Sequence, residues 1–201
     1  MARPRIHDEQ LRLRLLDRAA ELISTHGIDG LSLRRLAADA GTSTTAVYSL
    51  FGSKAAVLRA VYIEAFQRLS RRLEAVARTD DPAGDLLELG MAYHGSALAD
   101  PHLYAVMFQR SGSTALEADE VATEAATAAM RPLVETVERG IQGGLLADLP
   151  AHDIAYACWA MVHGLVSLEL DGCLAAVNVS AGSCRAALAA NIRGWLRTPA
   201  A

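Results

Sequence analysis

The chain has 201 residues, 52% of them hydrophobic, and a net charge of −4 at neutral pH. That length allows one large domain or two small ones with an ample core. No run of about 18 apolar residues is present to cross a bilayer, and the charged N-terminus has no apolar leader, so the expected location is cytoplasmic. The cysteines, Cys158, Cys173 and Cys184, are three and are expected as free thiols. The average charge hides an asymmetry. Residues 1–78 hold 13 Lys or Arg against 8 Asp or Glu, a balance of +5, while residues 79–201 hold 6 against 15, a balance of −9. Phosphates draw the basic end and repel the acidic body, so the field orients an approach to nucleic acid.

Alanine and leucine at helical spacing, with few β-branched runs, predict an all-α chain of about nine helices. Arg3 and Arg5 flank Pro4 as a basic arm. The first helix is expected over Asp8–His26, with Leu11, Leu15, Ala19, Leu22 and Ile23 as its inward stripe. After a turn at Gly27–Gly30, Ser32 can cap a second helix that carries Leu33, Leu36 and Ala37 on one face. Gly41 follows, where a chain leaving a helix commonly needs positive φ. Ser43 then caps a third helix, Thr44–Leu50. Its Ala46, Val47 and Leu50 face inward, leaving Thr44, Thr45, Tyr48 and Ser49 for the other side. Two short helices joined by a glycine turn form a helix-turn-helix, whose second helix enters the DNA major groove.

Phe51-Gly52-Ser53 breaks the chain, and Ser53 caps a long fourth helix over Lys54–Arg78. Its expected buried side is Leu58, Val61, Ala65, Leu69 and Val76. Asp81-Pro82 opens a fifth helix to Ala99. Asp100-Pro101 repeats the signal for a sixth, through Gln109. Ser111-Gly112-Ser113 reads as a loop. A seventh helix is expected over Leu116–Gln142, with a bend near Pro132. Beyond a turn bracketed by Gly143-Gly144 and Pro150, the eighth helix, His152–Leu170, is apolar nearly all round. Such a helix is buried on most faces, as core or as part of a subunit interface. The ninth, Ala181–Arg197, alternates alanine and leucine with Arg185, Arg193 and Arg197.

The ordered set Leu15–Gly27, Leu31–Ala37 with Ala40-Gly41, and Val47-Tyr48, Phe51 and Ser53-Lys54 resembles the TetR family of bacterial transcription regulators over residues 10–64. Trp159, His163 and Gly164 resemble the Trp-x-x-x-His-Gly signature in the effector domain of one branch. The resemblance implies a helix-turn-helix DNA-binding domain of three helices at residues 1–53. It implies a C-terminal helical effector-binding and dimerisation domain at residues 54–201. It further implies a homodimer paired through the helices at 152–170 and 181–197, a palindromic operator in double-stranded DNA, and repression relieved by a small hydrophobic or amphipathic effector. Carried over by position, the DNA-facing residues are Arg34, Thr44, Thr45, Tyr48 and Ser49, with Lys54 on a phosphate at the start of the fourth helix. Lys54 is the only lysine in the chain. Arg34 could instead pair with Asp39 or a neighbouring acid. Arg35 reads as a brace to the first helix, and Val47 and Phe51 as core. Many members carry a larger polar or aromatic residue at the position of Ser49 and a histidine at that of Leu50. Their absence shifts recognition toward Arg34 and the arm.

An effector pocket is usually apolar with a few orienting polar groups. The candidates are Tyr62 and Phe66, then Met91, Tyr93 and His94, then Tyr104, Met107 and Phe108, and finally Trp159 and His163. Each also reads as ordinary core. Trp159 and His163 share one helix face, and His163 beside Gly164 equally fits a close helix crossing. The chain has no phosphate-cradling glycine loop, no Gly-x-Ser-x-Gly elbow and no His-Glu-x-x-His. Neither an enzyme nor a cofactor or metal site is expected, and Cys158 on an apolar helix should be inert. The alternative function is a ligand-independent or architectural DNA-binding regulator.

Overall fold

The computed structural model describes residues 5–108, 119–173 and 182–197. Among them run nine α-helices: α1 (Arg5–His26), α2 (Leu33–Asp39), α3 (Thr44–Phe51), α4 (Lys54–Glu74), α5 (Pro82–Ala99), α6 (Pro101–Phe108), α7 (Glu120–Gln142), α8 (Ala151–Leu170) and α9 (Ser183–Gly194). The chain divides into two compact units. One comprises residues up to 68 with 100–127, the other residues 69–99 with 128 onward. No single helix among the described residues is long and apolar enough to cross a membrane.

In the first unit, α1 packs against α2 and α6. Its stripe is buried as the periodicity predicts, with Leu15, Leu16, Ala19 and Leu22 almost fully enclosed. Ser32 accepts from the Arg35 amide at 3.4 Å and Ser43 from the Ala46 amide at 3.1 Å, so both short helices are capped as expected. Between them Gly41 takes φ +66°, a conformation an L side chain resists. Ion pairs brace the unit. Arg18 on α1 reaches Asp39 on α2 at 2.7 Å, and Arg68 on α4 holds buried Glu64 at 2.8 Å and Asp17 at 2.7 Å.

The second unit is built round Leu86, Val137, Leu146, Ile154 and Ile192. Here α5 packs against α8 and α9. A Cβ placed on Gly90 would lie 2.9 Å from a Leu188 methyl, which is how close α5 and α9 come. A buried carboxylate, Asp85, receives the Thr79 amide at 2.9 Å, the Thr79 hydroxyl at 2.7 Å and the guanidinium of Arg139. Arg139 also donates to the Thr79 carbonyl at 2.7 Å.

Several helix ends depart from expectation, each for a tertiary reason. α1 begins at Arg5, so the basic arm loses that residue to the helix; Arg3 lies outside the described residues. α4 stops at Glu74, not Arg78. Its last turn tightens through a bond from the Val76 amide to the Leu73 carbonyl. Thr79 is then held by Asp85 and Arg139, which competes with further helix. Val76 is accordingly half-buried, and Leu73 takes the inward place. α9 ends at Gly194, not Arg197, because the Trp195 carbonyl accepts from Ala147 and the Arg197 amide donates to Leu145. The described part of α7 starts at Glu120, where Asp119 accepts from the amides of Val121 and Ala122. The expected Ser111–Ser113 loop, and the ends at Gln109, Leu116 and Ala181, fall outside the described residues.

Burial alone would raise the Asp85 pKa, but the Thr79 bonds and then Arg139 outweigh it and hold the carboxyl below its usual value. A depressed carboxyl pKa adds stability above the unfolded-state value, and this is lost as pH falls through the folded one. Asp85→Asn should therefore lower unfolding stability at pH 7 by about 3 kcal/mol, because Arg139 keeps its burial and loses its counter-charge. It should also flatten the loss of stability that wild type shows below about pH 4. Denaturant melts at pH 7 and pH 3 check both.

Candidate nucleic-acid interface and interior cavity

The helix-turn-helix presents one polar surface. Val47 is fully buried on α3, and at 100° per residue this turns Thr45, Tyr48 and Ser49 outward. All three are exposed, Tyr48 to 52%. Thr44 is only half-exposed, and Phe51, read as core, is half-buried. Arg34 is exposed on α2. Asp39 does not brace it, because that carboxylate is engaged by Arg18 and, at 3.7 Å, by Arg35. Arg18 thus makes the brace between α1 and α2 that the sequence reading assigned to Arg35. Glu21 and then Asp39 stabilise its charge and raise its pKa. Lys54 starts α4, with its Nζ 3.4 Å from the Asp29 carbonyl.

The ten candidate effector residues do not form one site. Tyr62, Phe66, Tyr104 and Phe108 cluster in the first unit, with ring centroids 4.9 Å apart for Tyr62 and Phe66, 6.1 Å for Phe66 and Phe108, and 5.0 Å for Tyr104 and Phe108. Met107 is buried on the same short helix. In the second unit Tyr93 and Trp159 line a narrow apolar cavity with Leu73, Leu89, Met130 and Asn191. Its free space is about 30 Å³, room for a water or two. Behind this wall His163 Nδ1 lies 2.9 Å from the Tyr93 hydroxyl, which itself receives the Trp159 indole N–H at 3.4 Å. Burial lowers the His163 pKa and keeps the ring neutral at pH 7. Tyr93 thus accepts from Trp159 and shares a hydrogen bond with Nδ1. His94 does not line the cavity; its Nε2 lies 2.6 Å from Glu169. Met91 lines a separate open groove.

Sequence reading missed Asn191, which accepts from the Trp195 indole at 3.3 Å and lies 3.5 Å from the Cys158 thiol. A lone amide three residues after Leu188, on an alanine-rich helix, was the available signal. Burial pushes the Cys158 thiol up to about 11, which keeps it protonated and unreactive at neutral pH.

Against the described residues of its own chain, α8 buries one side. Its inward side is Ile154, Ala155, Cys158, Val162 and Val166. Its other side leaves Tyr156 65% exposed, followed by Ala160, Met161, Gly164 and Leu168. A Cβ on Gly164 would meet nothing within 4 Å, so no helix among the described residues crosses closely there. On α9 the exposed positions include Ala186, Ala190 and Gly194.

Residues 15–61 match the family described as "Bacterial regulatory proteins, tetR family", and residues 86–192 match "Tetracyclin repressor-like, C-terminal domain". The HTH-type transcriptional regulator Rv1816 of Mycobacterium tuberculosis is 25% identical over 193 residues, covering 82% of each chain. A solved protein of unknown function from Rhodococcus sp. RHA1 is 31% identical, with 93% of this chain and 96% of that one covered and a TM-score of 0.79. A TetR family transcription regulator from Marinobacter aquaeolei VT8 shares the fold at TM-score 0.81 with 19% identity, over 96% of this chain and all of that one. The C-terminal match alone spans more than half of the sequence, and the N-terminal match covers the capped helix pair with the exposed polar face of α3. The chain belongs to the TetR family of DNA-binding transcriptional regulators.

Proposed function

We propose that this regulator is a homodimeric repressor of a palindromic operator, released by a small hydrophobic or amphipathic effector. In this reading residues 1–53 read DNA, while residues 54–201 dimerise and bind the effector. Arg34 bonds a guanine edge through its fork. Thr44, Thr45 and Ser49 offer methyl and hydroxyl groups to bases or phosphates, Tyr48 reaches the backbone, and Lys54 holds a phosphate at the start of α4.

The exposed apolar stripe of α8 supports pairing with a second copy. Soluble chains leave such a contiguous stripe open mainly where something docks. The small residues Gly164, Ala160, Ala186 and Ala190 let a partner helix approach closely. Two recognition helices then lie about 34–36 Å apart, or a modified multiple of that, to meet successive major grooves.

The cavity beside Tyr93 and Trp159 is the observation that carries the effector reading. It is apolar, with one chain of polar groups at its wall. At about 30 Å³ it is far below the roughly 300 Å³ or more of a typical ligand pocket, so an effector must enlarge it. Enlargement displaces Leu73, near the end of the helix that Lys54 begins. The effector therefore favours the form that does not fit the operator, and by linkage operator DNA weakens effector binding by the same factor. The small cavity also favours a second reading, a regulator with no effector whose cavity is filled by its own side chains.

Genomic fragments selected by the purified protein at about 0.15 M salt should contain one or a few palindromes. Arg34→Ala should weaken binding to them by about 5- to 150-fold for each half-site, the loss of one good base contact per subunit. Broad recovery that falls steeply with salt and ignores Arg34→Ala would instead indicate phosphate-driven architectural binding. Tyr156→Glu combined with Leu168→Glu should yield monomers in sedimentation and abolish palindrome binding, while the helical circular-dichroism signal persists. A dimer that survives both charges places the interface elsewhere.

A further inference from the structure

Within the second unit, the end of α4, α5 and α7 enclose a groove with about 200 Å³ of space. On α7 its wall is Pro132, Glu135, Thr136 and Arg139, whose helical spacing puts them on one face. Leu73 and Leu89 supply apolar surface.

Arg139 is incompletely bonded. Its Nη1 donates to the Thr79 carbonyl at 2.7 Å and its Nη2 to Asp85. Its Nε is buried with no hydrogen-bond partner, the one side-chain nitrogen or oxygen of which this is true among the described residues. A buried donor left unpaired is costly, and native folds seldom keep one without a reason. Asp85 does not supply the acceptor, because its oxygens take the Thr79 hydroxyl at 2.7 Å, the Thr79 amide at 2.9 Å and Arg139 Nη2. Arg139 lines the groove, so an acceptor lodged there can serve the Nε.

One turn back on the same face stands a second buried polar group. Thr136 is only 9% exposed. Its hydroxyl donates to the Pro132 carbonyl at 2.8 Å, so its single hydrogen is used and its oxygen presents lone pairs. The groove thus offers a donor and an acceptor side by side. Glu74, Glu135 and Arg78 line it as well, and all three are exposed. A ligand of either charge would meet a like charge among them, which favours an uncharged one. The space is below the roughly 300 Å³ of a drug-sized pocket, so the ligand is small.

We propose that this groove binds a small uncharged molecule with a carbonyl beside an N–H, as in an amide or lactam. The carbonyl accepts from Arg139 Nε, and the N–H donates to Thr136 Oγ1. Leu73 and Leu89 cover the ligand's apolar part. The site is distinct from the cavity beside Trp159, although these two leucines line both, and it does not depend on that cavity taking an effector.

The test titrates the ¹⁵N-labelled full chain with three ring compounds of one size and follows the Arg139 Nε–H resonance, assigned through its own side-chain couplings. 2-Piperidone offers both carbonyl and N–H, N-methyl-2-piperidone only the carbonyl, and piperidine is a cation at neutral pH. 2-Piperidone should shift the resonance saturably. The methylated probe should do so with about 2- to 10-fold weaker affinity, the loss of one hydrogen bond, and piperidine should leave it unmoved. Thr136→Val keeps the side-chain shape and should bring 2-piperidone down to the affinity of the methylated probe. A gap that is absent in wild type, or that survives Thr136→Val, would overturn the role of Thr136. A saturable shift with piperidine would overturn the preference for an uncharged ligand. No saturable change at Arg139 Nε with 2-piperidone would overturn the site. If the Trp159 indole resonance alone responds, the probe has entered the cavity, and the effector reading stands while the groove site falls.

Discussion

Burial of Val47 is the constraint on which DNA recognition depends. A helix as short as α3 has no independent stability, so its rotation is set by the one side chain that must leave water. With Val47 enclosed, Thr45, Tyr48 and Ser49 have no inward option. The caps at Ser32 and Ser43 fix where each short helix starts, and Gly41 supplies the turn between them. Arg18 then ties α1 to α2 through Asp39. That pairing occupies the one acid on α2, and so it leaves the Arg34 guanidinium to meet something other than its own helix.

The second unit is organised by a different kind of interaction. Asp85 is a buried charge, which is tolerable only when fully bonded. Thr79 and Arg139 satisfy it, and in doing so they end α4 early and set the entry to α5. The arrangement satisfies the acid more fully than the base, for the Arg139 Nε is buried with no hydrogen-bond partner among the described residues.

The cavity is narrow, and Trp159, Tyr93 and His163 bond to one another at its wall. On the effector reading proposed above, a binder replaces packing among leucines with its own apolar surface, and that exchange would couple occupancy to helix position.

The sequence by itself determined the all-α class, the order of the helices, both caps of the helix-turn-helix and the side of α3 that faces out. These follow from periodicity, capping residues and glycine turns, which act over a few residues. The family was legible for the same reason, since its motif is local. Tertiary structure decided what depends on distant partners. Spacing could not show that Tyr62 and Phe66 cluster with Tyr104 and Phe108 while Tyr93 joins Trp159 and His163, because helical period says which face a residue takes but not which helix it meets. Nor could it show that His94 pairs with Glu169, that Asn191 reaches the Cys158 thiol, or that the other described helices leave one apolar side of α8 uncovered. The early ends of α4 and α9 belong with these, for helix propensity continues past Glu74 and Gly194, and only the competing bonds to Thr79 and to Leu145 and Ala147 stop it.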